Sequence, residues 1–120
     1  MQESVLQIKS EAFAIRIINL YKHMTEKKQE FVLSKQVLRS GTSIGANLCE
    51  AICGFSKKEF LSKLSISLKE CNETLYWLRL IKETKYITET QFNSIYSECE
   101  ILMKMLVKSI KTTKKNIESK

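Results

Sequence analysis

Apolar side chains recur three and four residues apart along nearly the whole chain, the period of a helix buried on one side. The clearest run is Leu61, Leu64, Leu68, Cys71, Leu75 and Leu78, spaced three, four, three, four, three, which is an a/d seam. Phe92, Tyr96, Cys99, Met103, Leu106 and Ile110 form a second seam, and Leu6, Phe13, Ile17, Leu20 and Met24 a third. The pattern predicts four helices, over 3–26, 30–53, 56–84 and 88–117. Two starts are marked by capping boxes, Ser56-Lys57-Lys58-Glu59 and Thr88-Glu89-Thr90-Gln91. Each is bracketed by a candidate hydrophobic staple, Phe55 with Phe60 and Ile87 with Phe92. Gly54 suits a left-handed end for the preceding helix. Short linkers predict antiparallel neighbours and hence an all-α, up-down-up-down four-helix bundle in a single domain, 1–120.

Two helices carry apolar residues left over after the core is assigned. On a helical wheel Ile8, Ala12 and Ile15 lie about 180° from the first seam, and Ile66, Trp77 and Leu80 about 170° from the leucine seam. The outer face of a monomeric bundle helix is normally polar. Helices that are apolar on two faces predict a homo-oligomer, with these six residues at the interface. On the second helix Gly41, Gly45, Cys49 and Cys53 follow at four-residue steps, a ridge of small side chains that lets a neighbour approach closely. Gly41-Thr42-Ser43-Ile44-Gly45 lacks the Gly-Lys-Ser/Thr ending of a phosphate loop.

Composition agrees with the periodicity. The 120 residues hold no proline and 3 glycines, where an average chain of this length has roughly six and eight. Turn-rich β folds need those residues, so all-β and doubly wound α/β folds are excluded. All 13 acidic residues are glutamate, a better helix former than aspartate. No signal peptide or long apolar stretch is visible, which predicts a cytoplasmic protein away from the membrane. Cys49, Cys53, Cys71 and Cys99 read as small buried hydrophobes. With His23 the single histidine, no metal site is expected, and no cofactor.

Charge sharpens the picture. The chain carries 20 basic and 13 acidic residues, a net +7. From Lys104 onward there are six lysines against Glu118 alone. Lys104, Lys108, Lys111 and Lys115 repeat at four, three, four, with Lys114 beside them. They form a stripe roughly 150° from the core face of the fourth helix. Such a stripe either solubilises the protein or binds the phosphates of RNA or DNA. Without arginine or interleaved aromatics it predicts backbone binding with little base readout. Asn47, Glu50, Glu70 and Glu73, with Arg39 and Arg79 as candidate partners, read as hydrogen-bonding groups that fix register. A di-iron bundle would need Glu-x-x-His motifs, which are absent. No nucleophile–base pair accompanies the glutamates, so no enzymatic activity is expected.

The run from Ser34 to Ala51, SKQVLRSGTSIGANLCEA, resembles a signature of the four-helix-bundle proteins encoded in intervening sequences of bacterial 23S ribosomal RNA genes. Lys58–Glu70, KEFLSKLSISLKE, and Glu73–Leu78, ETLYWL, resemble its second signature. The departures are Leu48 in place of the commoner isoleucine and cysteines at 49, 53 and 71 in place of alanine. The resemblance implies an up-down bundle assembled as a ring, a homopentamer, with no established catalytic activity. A more distant similarity is to the accessory variability protein of diversity-generating retroelements, a basic pentamer that works with nucleic acid. The expectation is a non-enzymatic oligomer that binds nucleic acid through its basic surface; the alternative is an adaptor docking a protein partner.

Overall fold

The computed structural model describes residues 2–119, with side chains from residue 5 to 119. Four helices, α1 (Gln2–Glu26), α2 (Leu33–Ile52), α3 (Lys57–Glu83) and α4 (Glu89–Glu118), run in chain order. No strand occurs among the described residues. The bundle measures 52 × 22 × 20 Å. Each helix packs on its chain neighbour, and α1 closes the bundle against α4. Among the described residues the diagonal pairs do not pack against each other, the α2–α3 seam is the most extensive and the α1–α4 seam the thinnest. This is the up-down-up-down arrangement.

Helix ends fall within a residue of the sequence expectation, except that α2 starts at Leu33 rather than Glu30. The reason is local. Gln29 adopts a left-handed φ of 55°, and the Glu30 N–H donates to the Met24 carbonyl at 2.9 Å. The Glu30 carboxylate then accepts from the N–H groups of Val32 (3.2 Å), Leu33 (2.9 Å) and Ser34 (2.8 Å). These are orphan donors of the first helical turn, so Glu30 caps α2 from outside it. Burial works against its charge, but those three N–H groups outweigh it and hold the carboxyl below its ordinary value.

The α4 start is as expected. Gln91 N–H donates to Thr88 Oγ1 (3.1 Å) and Thr88 N–H to Gln91 Oε1 (2.9 Å), and Ile87 and Phe92 are both buried. At α3 the Glu59 N–H donates to Ser56 Oγ (3.1 Å), but the Glu59 carboxylate accepts from Phe55 N–H (3.2 Å) rather than from Ser56. Phe55 is 98% exposed, so it forms no staple with Phe60. Gly54 does not adopt the left-handed conformation expected of it. Its N–H bonds back to Ala51 O in a right-handed end, where an added Cβ would stand 3.2 Å from that same oxygen. The left-handed helix end lies instead at Lys85, φ 69°. There Tyr86 N–H reaches Ile81 O (3.1 Å) and Lys85 N–H reaches Lys82 O (3.0 Å), a Schellman motif built without glycine.

The core contains the expected Leu6, Phe13, Ile17, Leu20, Met24, Leu64, Cys71, Leu75, Leu78, Phe92, Cys99, Leu106 and Ile110. Leu61, Leu68, Tyr96 and Met103 flank it, half-buried. Its stripe is wider than an a/d seam and takes in Ile81, Ile95 and Leu102. It also takes in the small polar residues Ser10, Ser34, Ser40, Ser67, Thr74, Ser109 and Thr113. The hydroxyls of Ser10, Ser34, Ser40, Ser67, Thr74 and Thr113 each make a hydrogen bond, and no buried side-chain nitrogen or oxygen among the described residues is unsatisfied.

Candidate nucleic-acid interface

The stripe on α4 follows from how that helix packs. Leu102, Leu106, Ser109, Ile110 and Thr113 are buried, and this turns Lys104, Lys108, Lys111 and Lys115 to the opposite face. All four are exposed, as is Lys114 on the flank toward α3. Lys104 to Lys115 spans about 16 Å along the helix axis. Lys120 lies outside the described residues. Ion pairs are formed elsewhere, by Arg16 with Glu98, Arg39 with Glu70 and Glu73, Lys63 with Glu50, and Lys82 with Glu83 and Glu89. None of the five α4 lysines forms an ion pair with an acid among the described residues.

The polar residues on α2 and α3 form a separate set. Arg39 reaches across from α2 to Glu70 (3.3 Å) and to Glu73, and Trp77 Nε1 donates to Glu73 Oε1 (3.3 Å). Arg79 does not join them; it donates to the Tyr96 hydroxyl at 2.8 Å. Asn47 Nδ2 bonds within its own helix, to Ser43 O (2.8 Å), and Glu50 pairs with Lys63 (2.7 Å).

On α1, Ile8 (67% exposed), Ala12 and Ile15 (54%) face solvent. The corresponding α3 set is not uniformly exposed. Ile66 is at the surface, but Trp77 and Leu80 are half-buried within the bundle, and the Trp77 ring packs against the core. The ridge on α2 is in contact along only half its length. A Cβ at Gly41 would meet Ile17 Cγ1 at 2.7 Å and one at Gly45 would meet Ser10 Oγ at 3.2 Å. Cys49 and Cys53 are exposed, contrary to the expectation that all four cysteines are buried. Their stretch of α2 turns that side to solvent as the helix runs out toward the Gly54 turn.

Cys71 and Cys99 are fully buried, with their Sγ atoms 3.7 Å apart across α3–α4. The hydrogen bond to Cys71, then burial, push the Cys99 thiol well up, so it stays protonated. No group of three His, Cys, Asp or Glu side chains among the described residues is arranged to hold a metal ion. His23 lies beside a shallow cleft between α1 and α4 that Arg16, Ile87, Gln91 and Ile95 also line. Sequence reasoning missed Arg16, which clasps this thinnest seam through Glu98 and Ser94. Its partners are 82 and 78 residues away, and no local pattern announces them.

These features define an all-α, up-down four-helix bundle with a basic rail on its longest helix. The chain belongs to the 23S rRNA-intervening sequence protein family, whose sequence profile matches residues 2–108. Lys111, Lys114 and Lys115 lie beyond the matched span. The chain is also similar to a crystallised protein of unknown function from the S23 ribosomal protein family of Bacteroides thetaiotaomicron VPI-5482. Identity to that protein is 50% and the TM-score 0.91, covering 92% of this chain and 99% of that one. No curated protein matches the chain. No helix among the described residues is long and apolar enough to cross a membrane.

Proposed function

We propose that this chain is a non-enzymatic, cytoplasmic homo-oligomer, a pentamer as the family resemblance implies, that binds RNA or DNA through its phosphates. The observation that carries the reading is the row of five exposed α4 lysines with no acidic partner among the described residues. Phosphate binding by lysine gains from counterion release and needs no base readout. Assembly is supported by the exposed Ile8, Ala12 and Ile15 on the outer side of α1, a face that water disfavours and a second copy would cover. A ring multiplies the rail, and weak contacts then add through multivalency.

Fluorescence anisotropy with a labelled oligonucleotide over a salt series tests binding. Changing Lys104, Lys108, Lys111 and Lys115 together to Gln is expected to flatten the logarithmic salt slope by about 0.9 for each phosphate that is no longer neutralised. Binding that survives this change at low salt overturns the rail as the site. Light scattering that returns a 13.9 kDa particle at micromolar protein overturns the assembly.

A further inference from the structure

The lysine rail lacks aromatics along the sequence, but the fold brings one to its end. Phe55, in the α2–α3 loop, is 98% exposed. It is held in place rather than dangling. Its N–H donates to Glu59 Oε2 at 3.2 Å, Ser56 Oγ accepts from Glu59 N–H at 3.1 Å, and Gly54 N–H bonds to Ala51 O. The antiparallel register of α3 and α4 is set by Cys71 against Cys99 and by the Lys82 ammonium over the Phe92 ring. Fourteen residues back from Cys71 is Lys57, and fourteen on from Cys99 is Thr113. Equal helical rise therefore puts the start of α3 level with Thr113, and the Phe55 loop level with Lys114 and Lys115.

The acids near this end are largely engaged. Glu50 pairs with Lys63 and Glu59 caps the loop, which among the residues with described side chains leaves Glu118 against Lys111, Lys114 and Lys115. An exposed phenyl ring level along the bundle with the ammonium groups of Lys111, Lys114 and Lys115 matches the chemistry of a single-stranded nucleic acid: the lysines take phosphates and the ring takes the face of an unstacked base. A duplex keeps its bases stacked inside and has no face to offer the ring.

Resting on the nucleic-acid reading above, we propose that Phe55 and the C-terminal lysines of α4 form a single-strand binding site at one end of the bundle. One base stacks on the Phe55 ring while the flanking phosphates follow Lys111, Lys114 and Lys115. Charge complementarity decides for nucleic acid over an apolar protein partner.

The test compares a labelled single strand of about 12 nucleotides, within the usual site sizes, with a duplex of equal length. Binding is read by anisotropy on the full chain. Phe55→Ala and Phe55→Leu are expected to weaken single-strand binding about tenfold, within what one base–aromatic stack contributes. Duplex binding should be unchanged, and Phe55→Trp should retain single-strand affinity. Because Phe55 is exposed, thermal melts of all three variants should match the parent. Full binding by Phe55→Leu would mean that apolar area rather than a ring is read, and overturns the proposal. If Phe55→Ala leaves the single strand unaffected while the lysine-to-Gln variant loses it, the rail stands and the stacking site falls. If the parent protein binds neither probe, both readings fall.

Discussion

Ser67 Oγ on α3 donates to the main-chain oxygen of Ile44 on α2 at 2.8 Å. Thr74 Oγ1 meets Ser40 Oγ at 2.9 Å one step further along the same seam. On its other side α2 presses Gly41 against Ile17 of α1. The shortest helix is thus held between two neighbours by residues small enough to let the backbones approach.

Gly41→Ala should therefore destabilise the protein. Alanine gains up to about 1 kcal/mol in helix propensity. Its Cβ, however, would stand 2.7 and 2.9 Å from the two γ-carbons of Ile17, a buried β-branched side chain with no room to swing away. Overpacking of this kind costs about 1–3 kcal/mol. At Gly45→Ala the tightest contact is Ser10 Oγ at 3.2 Å, with Ser10 Cβ and main-chain carbon at ordinary distances of 3.6 and 3.7 Å, so this variant should be neutral or slightly stabilising. Ser67→Leu forces α2 from α3 and should cost about 1–3 kcal/mol. Urea denaturation of the three variants ranks them.

Glu30 makes stability depend on acid. Its folded-state pKa lies below the ordinary 4.5, so its contribution is complete above that pH. It is lost as pH falls from there through the lowered folded value. Glu30→Gln should cost about 1 kcal/mol at neutral pH, the usual worth of a capping side chain. The gap to the parent should narrow as pH falls from 4.5 and close once it has passed the lowered folded value. Thermal melts of both proteins across that window check it.

The cysteines should divide two and two. Cys49 and Cys53 are exposed and Cys71 and Cys99 buried. Reaction requires the thiolate, which burial and the mutual hydrogen bond suppress at Cys99. An aromatic disulfide reagent should titrate two thiols in the folded protein and four in denaturant. Protection of Cys49 and Cys53 in the folded sample would place them in a contact between copies.

Arg16→Ala removes the clasp between α1 and α4. The pair is about 38% exposed on each side, so the loss in global stability should stay under about 1 kcal/mol and shrink in salt. Since this seam is the thinnest in the bundle, hydrogen exchange should quicken first at α1 amides near Arg16.

Periodicity located the helices and most of the core because every a/d position is set by residues three and four apart. It placed the cap at Thr88 for the same reason. It missed the buried serines and threonines, which a hydropathy pattern counts as surface. Their burial is permitted only by partners on another helix, Ile44 O for Ser67 and Ser40 for Thr74. It also placed Cys49 and Cys53 in the core, because a four-residue step records a shared side and not what covers that side. The lysine rail was legible in full, since a stripe opposite a core face is a property of one helix.

The amino-acid sequence by itself determined the four helices, their antiparallel order and the basic side of α4, all consequences of short-range spacing and short linkers. Only the tertiary structure decided that Glu30 caps α2, that Arg16 closes the bundle on Glu98, and that Phe55 stands free at the lysine end. These depend on where the chain reverses and on pairs brought together from as far as 82 residues apart. Helical periodicity carries no information at that range.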